Sequence, residues 1–369
     1  MHILNVIFFL FISIVAIQTI YYIVFSFFAF SKLEQNKTSS IPVSVIICAK
    51  NEAKNIKTFL PLILEQDYSV FEIVLINDAS SDDTLELFEA FAKKHSNIKI
   101  VDVVNNEAFW GNKKYALTLG IKAAKHNHLL FTDANCQPVS KNWISNMSSN
   151  FSNTKSIVLG YGSYQKKVGS LLNKLIRFET LLTAIQYFSF AKAGSPFMGI
   201  GRNLAYTKND FFSANGFINH MKVRSGDDDL FINEVATKHN TSICFTENSF
   251  TVSIPETSFD TWFKQKRQHV STTKLYKNKH KFALRLFYAS QVLFYILPII
   301  LLSFLHQWEI VVSLIGFKIG LQYIVFGFSA SKLKEIDVLY LLPLLEIGLI
   351  IAQLSIFITN KISKPAHWK

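Results

Sequence analysis

Ile3–Phe30 contains no Asp, Glu, Lys or Arg. A helix needs about 20 apolar residues to cross a bilayer core, so this stretch commits the chain to lipid before anything else is considered. A cleaved leader would open on basic residues, carry a shorter apolar run and end at small residues. This run has no preceding Lys or Arg and ends in Phe27-Phe28-Ala29-Phe30. It reads as a retained anchor. The pattern returns near the other end. Leu286–Leu305 is uncharged, Ile310–Phe328 carries only Lys318, and Val338–Ile358 carries only Glu346. About three further membrane helices are expected. Charges inside spans face protein or a water-filled path, so Lys318 and Glu346 either pair with each other or line a route for a substrate.

Between anchor and bundle lies a polar stretch, residues 32–282, and the charge balance indicates where it sits. Lys and Arg total 38 against 26 Asp and Glu, a net charge of +12. Such an excess favours phosphates and anionic lipid heads. A membrane explains it, so nucleic acid is not expected as a partner. Basic residues favour the cytoplasmic side, which places the polar stretch and the Lys332/Lys334 loop there, with the N-terminus outside. Four crossings would then put Lys361, Lys364 and Lys369 outside, against the same rule. Either one C-terminal segment turns back within the membrane or the tail departs from the rule. The cysteines, Cys48, Cys136 and Cys244, have no metal-ligand spacing and suggest no disulfide framework.

The polar stretch alternates strand and helix patterns. Ile41–Cys48, Glu72–Asp78, Ile98–Val104 and His128–Thr132 are short β-branched runs. Helical spacing follows each of the first three, over 52–66, 80–95 and 112–126. This predicts a mainly parallel sheet with helices on both faces. In such sheets the ligand sits beyond the carboxyl ends of the strands. There the chain has Lys50-Asn51-Glu52, Asn77-Asp78 and Asp133-Ala134-Asn135. Asp78 and Asp133 are expected to share one crevice, while Asp82 and Asp83 fit helix caps. Neither a Gly-x-Gly-x-x-Gly nor a phosphate-loop motif occurs. Carboxylates facing an anionic ligand call for a divalent metal between them. Lys113 and Lys114, opening the third helix, either add charge to phosphates or form a solvated basic turn.

These residues resemble the membrane-embedded family 2 glycosyltransferases, whose catalytic domain has the Rossmann-like GT-A fold. Val43–Glu52 is similar to that family's first strand, and Ile76–Thr84 to its nucleotide-binding acidic motif. Gly111–Leu117 resembles its Gly-Lys-x-x-Ala-Leu stretch. Thr132-Asp-Ala-Asn135 stands at its metal-binding Asp-x-Asp, Ser225–Leu230 at the block carrying the base, and Gln265–His269 at its Gln-x-x-Arg-Trp. The resemblance implies donor contacts from Lys50, Glu52, Asp78, Lys113 and Asp133. It implies Mg or Mn held by Asp133 and Asn135, a general base at Asp227 or Asp228, and acceptor or gating roles for Gly201, Asn203, Gln265 and His269. Aligning the block by its Asp-Leu end favours Asp227; aligning it by Gly-Asp-Asp favours Asp228. The chain departs from the pattern at Asn77, Asn135, Gln268 and His269, which replace acidic residues or the Arg-Trp pair.

The implied protein is an inverting, metal-dependent glycosyltransferase of the inner membrane with a cytoplasmic catalytic domain. It would use a nucleotide-diphosphate sugar, a UDP-sugar first, and a lipid or membrane-proximal glycan acceptor. The alternative is a non-catalytic membrane protein with a degenerate sugar-nucleotide domain. The expected divisions are an anchor at 1–31, the catalytic domain at 32–257, an interfacial segment at 258–282 and a membrane bundle at 283–369. Helical spacing over 169–190 gives an amphipathic helix that either covers the sheet or lies at the membrane surface. The basic segment 260–274 is expected at the interface.

Overall fold

A computed structural model describes residues 2–32, 40–104, 113–223 and 225–363. The central sheet forms from β1 (Val43–Ala49), β2 (Phe71–Asp78), β3 (Ile98–Val103), β4 (His128–Phe131), β6 (Ile157–Leu159), β8 (Leu204–Thr207) and β9 (Thr241–Ile243). Their order is β3-β2-β1-β4-β8-β6-β9. All neighbouring pairs are parallel except those of β8, which runs antiparallel to β4 and β6. Three short strands, β5 (Cys136–Pro138), β7 (Gly162–Tyr164) and β10 (Thr251–Ser253), make a second sheet.

Successive strand residues point to opposite faces, and here both faces are covered. Val45, Ile47, Ile73 and Leu75 pack against α2 (Ala53–Leu64), α3 (Thr84–Ala92) and α5 (Trp143–Ser148), through Ile56, Leu60, Phe88 and Trp143. Ile46, Val74, Ile76 and Leu129 face α4 (Lys113–Ala123) and α6 (Leu171–Lys192). Two-sided burial explains why β1 and β2 read as unbroken apolar runs. Two short helices, α7 (Lys208–Ser213) and α8 (Asp229–Val235), follow β8 in the chain.

Among the described residues, four helices are long and apolar enough to cross a membrane. They are α1 (His2–Ala29), α10 (Asn278–Ser303), α11 (Trp308–Leu333) and the segment Ile336–Ile362, a 3-10 turn running into α12 (Leu342–Ile362). Helix α9 (Phe259–Thr272) joins the catalytic half to α10. The core on the α6 face of the sheet continues without a break into Tyr22, Phe25 and Phe28 of α1 and Phe326 of α11. Helix α6 therefore bridges sheet and bundle, with residues of both halves packed around it.

Two ionic clusters fasten this arrangement. Arg177 of α6 is 2% exposed and pairs with Glu335, also 2% exposed, in the turn after α11. It donates to Glu335 Oε2 from Nε at 2.8 Å and to Asp337 Oδ2 from Nη1 at 2.7 Å. Within the bundle, Lys318 and Glu346 pair at 3.3 Å, which decides between the two expectations for them. Gln291 and Tyr295 also donate to Glu346, and Lys318 donates to Gln322.

Candidate functional site

A crevice of about 330 Å³ opens at the carboxyl end of β4, lined among others by Cys48, Lys113, Thr132, Asp133, Gly201, Tyr206, Asp227 and Asp228. Strand β4 carries Asp133 just past its end, and α4 begins with Lys113. Lys113 Nζ lies 3.0 Å from Asp133 Oδ1 and 3.2 Å from Asp227 Oδ2. One ammonium thus bridges residues that the sequence separates widely. Burial alone would lower the Lys113 pKa, but Asp133 and Asp227 reverse this and hold it well above the ordinary value. Burial likewise favours a neutral Asp133, yet Lys113, Arg202 and His269 keep its carboxyl below the usual range. Asp133 is ionised at neutral pH, and its side chain is still 34% exposed.

Asp228 is held differently. It precedes α8 and accepts the N–H of Gly201 at 2.6 Å and of Asp229 at 2.7 Å. Burial, then Asp227 and Asp229, push its carboxyl up to about 7. Asp229 faces inward and accepts from Thr272 Oγ1 and Tyr276 Oη, at 2.5 and 2.7 Å. The three adjacent aspartates thus have three environments: Asp227 on Lys113, Asp228 on the glycine turn, and Asp229 tied to the segment that leads into α10.

The other expected residues fall around this centre. Lys50, Glu52 and Asp78 follow or end the first two strands. Burial raises the Asp78 pKa, opposed by the fields of Lys50 and Lys113. Burial also raises Glu52, while a hydrogen bond from Asn55 opposes it. Asp82, rather than Asp83, takes the cap role, accepting from Thr84 N and from Ala53 N at the start of α2. Asn77, the penultimate residue of β2, has a structural role: its Nδ2 donates to Asp102 and its Oδ1 accepts Ser80 N. Lys114 fits neither expectation. It is fully buried and donates to the carbonyls of His220 and Val223.

Asn203 corrects an expectation. It is fully buried, and its amide accepts from Trp143 Nε1 and donates to the carbonyls of Tyr161 and Ser249. That role fastens the two sheets together and leaves no group for an acceptor. Its neighbour Arg202 was not singled out for the site, although a basic residue inside a glycine turn was a signal. Its guanidinium stacks 4.2 Å from the Tyr164 ring centre, and Nη1 donates to Ser163 O and Ser253 Oγ. Gln265 has a buried Oε1 without a hydrogen-bond partner. His269 is exposed on α9, within the fields of Lys266, Arg202 and Asp133. Gly111 and Asn112 of the Gly-Lys stretch lie outside the described residues.

Among the described residues, no three His, Cys, Asp or Glu side chains converge on a point that could hold a metal. Mg-type ions are commonly held by one or two carboxylates plus substrate phosphates. The ionised, partly exposed Asp133 fits that mode. Asn135 Oδ1 lies 3.4 Å from Cys136 Sγ.

Residues 44–222 match the family model described as glycosyl transferase family 2. Over 140 residues the chain is 34% identical to a poly-beta-1,6-N-acetyl-D-glucosamine synthase of Staphylococcus epidermidis, covering 36% of this chain and 33% of that protein. Over 126 residues it is 30% identical to glycosyltransferase AglE of Haloferax volcanii, covering 33% of this chain and 40% of that protein. The match thus spans a third to two fifths of these curated relatives. The fold is similar to that of mannosyltransferase PcManGT from Pyrobaculum calidifontis, solved with GDP-Man and Mn2+. The TM-score is 0.59 at 17% identity, over 89% of this chain and 98% of that one. Residues 44–222 are thus similar to family 2 glycosyltransferases, as the sequence suggested, and the fold is similar to that of a solved mannosyltransferase.

Proposed function

We propose that this chain, given its glycosyl transferase family 2 domain, moves a sugar from a nucleoside diphosphate donor to an acceptor at the membrane surface. The observation that carries the reading is the convergence of Asp133, Lys113, Asp227 and Asp228 on one crevice at the carboxyl end of β4. The relatives' names favour a hexose or N-acetylhexosamine donor. The acceptor class is a lipid or a membrane-proximal glycan, because the crevice belongs to a domain fused to the bundle. Sugar nucleotides are made in the cytoplasm, and the basic loops favour that side. The domain is accordingly assigned to the cytoplasmic face of the inner membrane.

The residues divide the work as follows. Asp78 and Glu52 face the nucleoside half of the donor. Asp133 would hold a Mg or Mn ion together with the donor diphosphate, and such an ion, when bound, would supply positive charge on the leaving-group side. Lys113 and Arg202 add fixed positive charge on that side. Asp227 takes the proton from the acceptor hydroxyl, and one displacement inverts the sugar. Asp227 is preferred as base because both oxygens of Asp228 already accept backbone N–H groups, which fixes the Gly201 turn. The non-catalytic alternative loses one support, since Asn77 has a complete structural role of its own.

The test is a panel of nucleotide sugars, headed by N-acetylglucosamine and mannose donors, assayed for diphosphate release in membranes. Asp227→Asn should keep nucleoside diphosphate affinity within about threefold, roughly 0.7 kcal/mol, and slow transfer by about 10²–10⁴-fold. If Asp228→Asn shows that pattern and Asp227→Asn does not, the base is Asp228. Full transfer by both variants removes the assignment.

A further inference from the structure

Length and composition qualify four helices as membrane spans, but packing sets the last apart. The far half of the bundle, around Phe8, Phe11, Phe294, Leu301 and Val311, is built from α1, α10 and α11. Among the described residues α12 contributes no apolar side chain to it, and only Glu346 reaches it, at Tyr295. The buried residues of α12 instead join the core nearer the sheet, with Leu342, Leu345 and Leu349, and a small cluster of Ala352 with Trp262, Ile176 and Tyr164.

Direction gives the stronger argument. Helix α10 starts at the catalytic domain, where Lys277 N donates to Asn233 and His280 contacts Ser195. It runs away from the domain. Glu346 meets Gln291 and Tyr295 of α10, whereas the Ile350 carbonyl meets Tyr288. Rising numbers on α12 thus meet falling numbers on α10, so α12 runs toward the domain. Helix α11 also runs toward the domain, because Lys332 near its end donates to the carbonyls of Phe28 and Ser31 at the end of α1. Two consecutive crossings joined by a short turn must run in opposite directions; α11 and α12 do not. Both ends of the last segment are also held on the domain side. Arg177 binds Glu335 and Asp337, and Arg267 of α9 donates to Asn360 Oδ1 at 2.9 Å and to the Ser363 carbonyl at 2.8 Å.

We propose that the segment Ile336–Ile362 dips into the domain-side leaflet through its 3-10 turn and returns along α12, without crossing, and that its partner is the acyl layer of that leaflet. Gly348 leaves its backbone open toward Leu175, and Ala352 packs with Ile176 and Trp262. Leu344, Ile347, Ile351, Leu354, Phe357 and Ile358 are exposed, an apolar face with no protein cover. Charge agrees with this placement. With three crossings, Lys361 shares the side of the catalytic domain, as the basic-loop rule requires. The helix also seats α9, through Arg267 on Asn360 and Ser363. The inference rests on the reading that α1, α10 and α11 cross a membrane.

The test is one-sided labelling of single added cysteines in the full chain, with a membrane-impermeant maleimide on sealed vesicles of both orientations. The unmodified chain supplies the background. Asn153→Cys reports the domain, Gln307→Cys the α10–α11 turn, and Ser363→Cys and Ile362→Cys the end of α12. The expected result is that 153, 362 and 363 react from one side and 307 from the other. If 362 and 363 react from the side of 307, α12 is a fourth crossing and the inference is overturned. If 307 reacts from the side of 153, α10 and α11 do not cross at all, and the membrane reading beneath the inference fails instead.

Discussion

Replacing Arg177 by Met tests whether catalytic domain and bundle are one mechanical unit. The side chain would keep most of its apolar length and lose its charge. Asp337 would retain Lys166 at 2.9 Å. Glu335, 2% exposed, would keep only Tyr161 Oη at 3.4 Å. Removing one partner of a buried pair costs about 3–5 kcal/mol, because the remaining charge is left desolvated and unpaired. At about 1.4 kcal/mol per tenfold, the free energy of local opening should fall by roughly two to four decades. Hydrogen exchange of the α6 amides in nanodiscs reads this directly, as faster exchange confined to α6 and the turn after α11. Arg177→Met combined with Glu335→Gln removes both buried charges and should restore most of the protection. Parent-like exchange in the single variant, or no recovery in the double, would refute the argument that this pair clamps the two halves.

The other predictions concern the crevice and its support. Asp133→Ala should abolish transfer and weaken nucleoside diphosphate binding with Mg or Mn, measured by calorimetry, whereas Asn135→Asp should be tolerated. Asp228 has a folded pKa of about 7, above the ordinary aspartate value near 3.8. Its contribution to stability is therefore full below about pH 4 and is lost as pH rises through 7. Thermal melts should show that loss in the parent and less of it in Asp228→Asn. Helix α4 lies so close to β2 that a Cβ on Gly120 would sit 2.1 Å from Ile76 Cδ1. Gly120→Ala should cost about 1–3 kcal/mol in thermal or denaturant unfolding, and Ile76→Val should recover part of it.

The half of the fold that obeys simple periods was legible in the sequence. Strands buried on both faces and helices with one apolar stripe announce themselves, so β1 to β4 and the helices between them fall within a few residues of expectation. The antiparallel β8 and the three-residue strands were not legible, because such short runs carry no period. Topology alone puts Asp78 and Asp133 at the same edge of the sheet, although Asp133 and not Asp78 is among the residues lining the crevice. Side-chain direction was not available from spacing. Lys113 and Lys114 are neighbours in the same turn, yet one enters the crevice and the other is buried against the 220–223 loop. Asn203 and Arg202 are a second such pair, with the polar amide turned inward and the guanidinium toward the site. Asp227, Asp228 and Asp229 could be recognised as a block but not ranked, since their differences arise from Gly201, Lys113 and Thr272, each distant in the chain.

The Lys318–Glu346 pair has one more consequence. Lys318, Glu346, Gln291 and Tyr22 are all nearly or fully buried, and each belongs to a different helix. At that depth Glu346 accepts from Gln291 and Tyr295 and pairs with Lys318, which ties three helices together. A hydrated oligosaccharide could not be threaded along this axis without parting a desolvated ion pair, at about 3–5 kcal/mol before any other barrier is met. Under the proposed activity, the bundle of one copy would act as a stopper rather than a conduit, and a product made at the crevice would stay on the side where it is made. Its passage across the bilayer would fall to a lumen between subunits or to a separate flippase.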